Sequence, residues 1–212
     1  MNDPESWLQR WRDGQIGFHE AEGSRHLPEL WGALRPCKVL VPLCGKSRDL
    51  LWLAERGFAV TGVELSELAA EAFFAESGLA FDVRSDGGAG RRFVARDTAL
   101  EFHVGNFFDF RGEGFEALFD RAAWIALPGD VRPHYVERCR QLLGPNPALL
   151  VVTVEYDQAL CDGPPFSLSE TEVRGAWPEL ALRSEREVID DGPPKFKAAG
   201  VESLTERAWT AG

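Results

Sequence analysis

One stretch, residues 39–64, constrains the fold of this chain more than any other. It reads VLVPLCGKSRDLLWLAERGFAVTGVE, in which an apolar run, a turn at Gly45, a helix-spaced apolar pattern and a second apolar run follow one another up to Glu64. Gly57 stands after the helical pattern, where the C-terminus of a helix favours a left-handed residue. The order strand, turn, helix, strand predicts a βαβ unit of a parallel sheet.

Such a unit binds a ligand across its first turn, and an acid at the tip of its second strand takes the hydroxyls of a ribose. A dinucleotide site requires three spaced glycines in that turn, and a phosphate-binding P-loop requires glycine where this chain has Leu40. These requirements exclude the P-loop and disfavour a nicotinamide dehydrogenase. One glycine beside the bulky Leu43 suits adenosine with an amino-acid tail, which indicates S-adenosylmethionine. The alternative is a βαβ core unit without a ligand.

The length and composition favour a single domain over residues 1–212. The chain is 44% hydrophobic and 27% charged, with no linker or repeat, as in an ordinary globular protein. Its formal net charge of −11 disfavours nucleic acid and anionic membranes as partners, because both require a basic surface. No apolar stretch approaches the ~20 residues of a membrane span, and the acidic N-terminus is not a signal peptide. We therefore expect a cytoplasmic monomer.

Cysteines and histidines are few and show no metal-binding pattern. The four cysteines are far apart and form no C-x-x-C pair, which predicts free thiols. Cys44 lies in the central turn, but no histidine follows it at a recognisable spacing, so packing is favoured over a nucleophilic role. The four histidines never occur in an H-x-x-H or H-E-x-x-H spacing, so we predict no metal.

The N-terminal residues 1–22 are predicted to form a helical lid. Residues 4–12 suit a short helix that carries Trp7 and Trp11 on one face. Gly17 and Phe18 then supply a flexible point and an aromatic side chain, so that a helix hinged there would close over a pocket. The alternative is that the two tryptophans plug the core.

Two later segments carry further candidate site residues. Asn106 and the phenylalanines after it follow a strand end, where a side-chain amide and an aromatic ring suit adenine. Asp120 and Arg121 are adjacent within an apolar run, and buried charges need partners or a ligand. Either an Asp–Arg pair ties the strand to a helix, or the arginine lies at the mouth of the pocket.

Three segments complete the expected topology. Residues 86–104 indicate a hairpin insertion, and residues 148–154 form the best candidate for a central buried strand. Residues 192–197, which include Lys195, predict a stiff basic loop in an acidic protein.

These motifs, in this order and over nearly the whole chain, resemble the thiopurine S-methyltransferase family in its bacterial form. The matching segments are W-x-x-x-W at 7–11, I-G-F-H at 16–19, V-P-L-C-G-K-S at 41–47, G-V-E-L-S-E at 62–67, D-R-A-A at 120–123, P-G-D at 128–130 and G-P-P-F at 163–166. The turn at 42–47 is more specific than its glycine count, because most S-adenosylmethionine enzymes of this fold carry a richer glycine motif there.

The resemblance implies an α/β fold with three layers: a Rossmann-like, seven-stranded mixed sheet, with helices on both faces, an antiparallel last strand and an N-terminal helical lid. It also implies transfer of a methyl group from S-adenosyl-L-methionine, which leaves S-adenosyl-L-homocysteine. The expected acceptor is the sulfur of an aromatic or heterocyclic thiol such as a thiopurine, with selenium or tellurium compounds as further acceptors. Halide or simple sulfide as acceptor, and a cofactor-binding protein without catalysis, are the alternatives.

The resemblance also assigns residues to the site. Those expected to hold the cofactor are Trp7, Trp11, Leu43, Gly45, Glu64, Asn106 and Arg121. Arg121 is the expected catalytic residue, since it lies where cofactor and substrate meet in the family. The acceptor site is expected at Phe18, Pro164, Pro165 and Lys195. The chain departs from the family at Lys195, where arginine is favoured, at Ala122, where glycine is common, and at Asn106, where serine often stands.

Overall fold

The computed structural model describes residues 4–17, 19–85 and 90–212, and its described strands form one sheet. The strands are β1 Lys38–Pro42, β2 Ala59–Glu64, β3 Phe81–Ser85, β4 Arg91–Ala95, β5 Leu100–Val104, β6 Phe115–Arg121, β7 Leu143–Glu155, β8 Ala181–Glu187 and β9 Thr205–Ala211. The helices are α1 Pro4–Arg12, α2 His26–Trp31, α3 Asp49–Glu55, α4 Glu67–Ser77, α5 Arg132–Leu142, α6 Glu170–Ala176 and α7 Pro194–Ala198.

The sheet is mixed and has the strand order β3-β4-β5-β2-β1-β6-β7-β9-β8. Strands β5, β2, β1, β6 and β7 run parallel to one another, β4 lies antiparallel to β5, and β9 lies antiparallel between β7 and β8. The expected count of seven strands is wrong, since nine strands are described. The two additional strands are the antiparallel hairpin β3–β4, which extends the sheet beyond β5.

Most of the core forms two apolar layers, one on each face of the sheet, and a smaller apolar cluster surrounds Phe196. Along β1, Val39 and Val41 pack into one layer and Leu40 into the other, as the alternation of side chains along a strand requires. Helices α1 to α4 contribute buried side chains to the first layer, and α5 and α6 to the second. This arrangement confirms the expected α/β fold with helices on both faces.

The predicted βαβ unit is present as β1, α3 and β2. The buried side chains Leu50, Leu53 and Ala54 lie on the inner face of α3. Gly57 has φ +85° directly after this helix, which is the left-handed conformation that its position predicted. Strand β1 pairs in parallel with β2 on one side and with β6 on the other, so the ends of all three strands meet at one edge of the sheet.

Other sequence predictions had mixed outcomes. Within the predicted hairpin insertion at 86–104, strands β4 and β5 pair antiparallel, whereas residues 86–89 lie outside the described residues. The predicted central strand lies within β7. The expected basic loop at 192–197 is instead mostly helical, because α7 begins at Pro194, and proline is favoured in the first turn of a helix. Among the described residues, none of the helices combines the length and the apolar character that crossing a membrane requires.

Candidate active site

The turn after β1 has an unusual backbone. Leu43 has φ +45° and Gly45 has φ +53°, so two left-handed residues flank Cys44. Glycine adopts this conformation without cost, whereas leucine rarely does, and such strain tends to occur at functional sites. The chain therefore curls back on itself between β1 and α3.

Glu64, at the tip of β2, accepts a hydrogen bond at each carboxylate oxygen. The Gly45 N–H donates to Oε2 at 3.0 Å, and the Ser66 N–H donates to Oε1 at 2.9 Å. The side chain is buried, and burial raises the pKa of the Glu64 carboxyl, while these amide bonds act in the opposite direction. A carboxylate has about four lone-pair positions, so each oxygen can accept one further bond. Glu64 is not among the residues that line the cleft described below, so its binding of a ligand's hydroxyls stays a prediction.

Gly62 allows the turn to pack directly on β2. A Cβ at this position would lie 2.8 Å from Cys44 Sγ and 3.3 Å from a methyl carbon of Leu50. The sequence analysis gave Gly62 no role, although glycine inside a strand often marks a close approach of another backbone. Burial raises the pKa of the Cys44 thiol well above its usual value, so the thiol is neutral and serves packing.

A small cleft, with a cavity volume of about 30 Å³, lies at the edge of the sheet where β1 and β6 end. Of the predicted site residues it brings together Leu43, Gly45 and Arg121. It also contains His19 and Lys46, to which the sequence analysis assigned no chemistry. Ligands of open parallel sheets bind at this edge, in the crevice beyond the carboxyl ends of the strands.

Arg121 forms an ion pair with Glu20, whose carboxylate lies in the segment between α1 and α2. Burial raises the pKa of the Glu20 carboxyl, and the charge of Arg121 opposes that shift. Of the two interpretations of the Asp120–Arg121 pair, an arginine at the mouth of the pocket agrees with this geometry.

Asp120 ties β6 to α5, but through Tyr135 and not through Arg121. Its carboxylate accepts a hydrogen bond from the Tyr135 hydroxyl at 2.7 Å and from the backbone amides of Ala123 and Trp124 at 3.2 and 3.1 Å. Burial raises the pKa of Asp120 to about 6. Ala122, which lies between Arg121 and Ala123, has φ +69°. Glycine adopts this left-handed conformation without strain, which agrees with the glycine expected here from the family resemblance.

Asp49 and Glu206 hold the segment between α1 and α2 against the site. Asp49 accepts hydrogen bonds from the Ser24 N–H at 2.6 Å and the Ser47 hydroxyl at 2.8 Å, which joins this segment to the turn after β1. On β9, the Glu206 carboxylate lies 2.5 Å from Arg25 and 3.0 Å from His26 Nε2. Sequence spacing gives no signal for these contacts, because their partners are distant in the chain.

Lys195 lies against the loop that contains Pro164 and Pro165. The Lys195 ammonium donates to the backbone carbonyls of Pro164 at 2.7 Å and Asp162 at 2.9 Å, and the Tyr156 hydroxyl donates to the carbonyl of Pro165 at 2.7 Å. Burial lowers the pKa of Lys195. The expected acceptor residues Lys195, Pro164 and Pro165 are therefore neighbours, as one binding wall requires.

The remaining predicted residues occupy separate positions. Asn106 is exposed, and its side chain accepts a hydrogen bond from the Phe108 N–H at 3.1 Å. Trp11 is buried within the core layer that contains α2 and α3, whereas Trp7 is half-buried, with the Arg10 guanidinium 5.4 Å from its ring. Phe18 lies outside the described residues. Within the part of the chain that the structure describes, no three His, Cys, Asp or Glu residues are grouped to hold a metal ion.

Comparisons with known proteins agree with this geometry. The family model described as Thiopurine S-methyltransferase (TPMT) matches residues 2–211. The thiopurine S-methyltransferase of Pseudomonas putida is 45% identical over 98% of this chain and 98% of that protein. The one from Bordetella petrii is 40% identical over 95% of this chain and 94% of that protein.

Solved structures share the fold at lower identity. The 1,6-didemethyltoxoflavin-N1-methyltransferase of Burkholderia thailandensis, solved with bound 1,6-didemethyltoxoflavin and S-adenosylhomocysteine, has a TM-score of 0.61 at 19% identity. The match covers 98% of this chain and 86% of that one. On the strength of the family model and the relatives at 40% identity and above, the chain belongs to the thiopurine S-methyltransferase family.

Proposed function

We propose that this protein transfers the methyl group of S-adenosylmethionine to the sulfur of aromatic or heterocyclic thiols such as thiopurines. The observation that carries this proposal is the Glu64 carboxylate, fixed by the amides of Gly45 and Ser66 at the tip of β2 and still able to accept hydroxyls. Family membership supports the same chemistry, because close relatives are named thiopurine S-methyltransferases.

The cofactor would lie along the carboxyl edge of the sheet. Glu64 would bind the ribose hydroxyls, and the turn at Leu43 and Gly45 would hold the amino-acid tail. Asn106 would approach the adenine. Helix α1 would act as a lid, with Trp7 and Trp11 covering the methionine end, which the packing of α1 near α4 supports.

The chemistry requires alignment more than reactive side chains. S-adenosylmethionine supplies an activated methyl group, so the protein must hold the acceptor sulfur in line with it, and such positioning is worth roughly 7–11 kcal/mol. Arg121, in the cleft wall, would act as the catalytic residue by stabilising the ionised sulfur. The wall formed by Lys195, Pro164 and Pro165 would bind the body of the acceptor, together with Phe18.

The remaining properties follow from the composition. We propose a single domain over residues 1–212, with residues 1–22 as its lid segment, working as a cytoplasmic monomer on small molecules. The four free cysteines and the net charge of −11 support a reducing compartment and a partner that is neither nucleic acid nor membrane. Selenium and tellurium compounds would serve as further acceptors because they share the soft nucleophilic character of sulfur.

A methyl-transfer assay tests the proposed function. Labelled S-adenosylmethionine would be incubated with a thiopurine, an aryl thiol, an alkyl thiol, sulfide, tellurite or iodide, and the methylated product identified by mass spectrometry. We expect the highest kcat/KM for the aromatic thiols. Transfer to iodide or sulfide alone would show that the acceptor is not an aromatic thiol. Cofactor binding without transfer to any acceptor would contradict the proposal that the protein is an enzyme.

A further inference from the structure

His19 lies in the wall of the cleft but has no role in the function proposed above. It lines the cleft with Arg121, Lys46 and the turn after β1. The His19 N–H donates to the carbonyl of Ile16 at 2.9 Å, which fixes the backbone. Its imidazole makes no hydrogen bond to another described residue, so a ring nitrogen is available to a ligand.

Burial and the charges around His19 lower the pKa of its imidazole. Burial lowers the pKa of His19, and the positive charges of Lys46, Arg121 and Arg48 lower it further. Glu76 on α4 opposes them, but its carboxylate lies 2.5 Å from the Lys46 ammonium. A lowered pKa favours the uncharged ring, in which one nitrogen carries a lone pair that can accept a proton.

The other ionisable groups at the cleft are engaged. Glu20 is paired with Arg121, and Asp49 accepts bonds from Ser24 and Ser47. Lys46 is a cation held by a carboxylate. Among the described residues that line the cleft, His19 is thus the group best placed to receive a proton.

We propose that the His19 imidazole accepts the proton of the acceptor thiol, an inference that rests on the proposed methyl transfer to sulfur. The S–H bond breaks toward the imidazole, and the electron pair left on the acceptor sulfur forms the new bond to the methyl carbon. At the same time the bond between the methyl carbon and the sulfonium sulfur breaks. The sulfur keeps the electron pair of that bond and becomes an uncharged thioether. The imidazolium then releases its proton to solvent.

This role makes two kinetic predictions for the variant His19→Gln. The variant should lose the fall in kcat/KM that the native enzyme shows at acidic pH, where His19 becomes protonated. Because the pKa of His19 is lowered, this fall should begin at a more acidic pH than for an ordinary histidine. Its loss of rate should depend on the acceptor, reaching roughly 10²- to 10⁴-fold for alkyl thiols and much less for acidic aryl thiols. This dependence arises because thiols that ionise readily need no base. A merely structural role of His19 would instead lower the rate equally for all thiols.

A binding experiment follows the proton directly. An aryl thiol is titrated, at a pH just below its own pKa, into protein saturated with S-adenosylhomocysteine. Thiolate is measured by difference absorbance and proton release by an indicator dye. We expect thiolate to form in the native protein with little proton release, and His19→Gln to form less thiolate, with about one proton released for each.

The matched control is His134→Gln, on exposed residue His134 of α5, whose ring stacks on Phe108 and does not line the cleft. It should behave like the native protein in both experiments, and equal melting temperatures would exclude misfolding. Two results would overturn the role of His19 without refuting the proposed function. One is release of one proton per thiolate in the native protein, and the other is a loss of rate in His19→Gln that is the same for all thiols. A native protein that methylates no thiol would refute the proposed function as well.

Discussion

Glu64 has a structural role in the turn after β1 and a proposed role in binding the cofactor, and its position in the sequence predicted only the second. Its carboxylate accepts hydrogen bonds from the amides of Gly45 and Ser66, so it shapes the turn, and we propose that it also binds the ribose hydroxyls. An alanine at this position would leave two buried amides without partners, which costs stability as well as affinity. A test of the ribose assignment therefore needs a substitution that preserves the shape of the side chain.

Arg121 provides a test of catalysis that is separable from cofactor binding. Arg121→Lys keeps the charge but removes the planar fork that pairs with Glu20 and faces the cleft. We expect kcat/KM for an aryl thiol to fall roughly 10²- to 10³-fold, as when one stabilising donor is removed from an active site. The affinity for S-adenosylhomocysteine, measured by calorimetry, should change less than threefold. Equal losses in both quantities would make Arg121 mainly a cofactor ligand.

The sequence could predict those site residues whose signal is local. Leu43, Gly45 and Glu64 lie within one βαβ unit, where spacing alone relates the turn to the acid. Glu20 and His19 could not be found in this way, because they reach the cleft from the N-terminal segment through contacts with β6. The motif around His19 supported the family resemblance without indicating its chemistry.

At the scale of elements, the contact between β6 and α5 fixes the residue that carries the proposed catalytic charge. Asp120 is the last buried residue before Arg121, and Tyr135 on α5 donates to its carboxylate. Because burial raises the pKa of Asp120 to about 6, the native state binds a proton here more tightly than the unfolded chain. This residue's contribution to stability therefore falls as pH rises from its ordinary pKa, near 4, to about 6.

Tyr135→Phe tests this contact. The substitution removes a hydrogen bond that lowers the pKa of Asp120, so that pKa should rise further. We expect the free energy of unfolding, measured with urea, to fall by about 1–3 kcal/mol. The loss should be larger at pH 8 than at pH 5, because the bond to an ionised carboxylate is the stronger one. In an Asp120→Asn background the pH dependence of the loss should disappear, and its persistence there would contradict the assignment.

Elements with a strong local period were predictable, and those at the margins were not. The apolar spacing of α3 and the apolar run of β7 predicted central elements of the fold. Strand β3 has only two apolar residues, Phe81 and Val83, and this alternation is too short to predict a strand. The segment of α7 contains two prolines, which suggested a loop although one of them begins the helix.

At the scale of the whole molecule, the site is assembled from distant parts of the chain at one edge of the sheet. The turn after β1, the tip of β2 and the end of β6 meet there because the three strands are parallel neighbours. The segment between α1 and α2 is fastened across this edge by Asp49 and Glu206. Closure of the N-terminal segment would therefore act on the cofactor turn and on Arg121 together.

The central claim is that this edge binds S-adenosylmethionine through Glu64, and calorimetric titration with S-adenosylhomocysteine tests it most directly. In Glu64→Gln the amide keeps one acceptor oxygen but turns a donor toward the Gly45 or Ser66 amide, and it removes the charge. Loss of a charge-assisted hydrogen bond, worth about 1.5–3 kcal/mol, predicts an affinity roughly 10- to 150-fold lower. Glu71→Gln, at an exposed acid of α4, should bind like the native protein. A folded Glu64→Gln protein with native affinity would contradict the account.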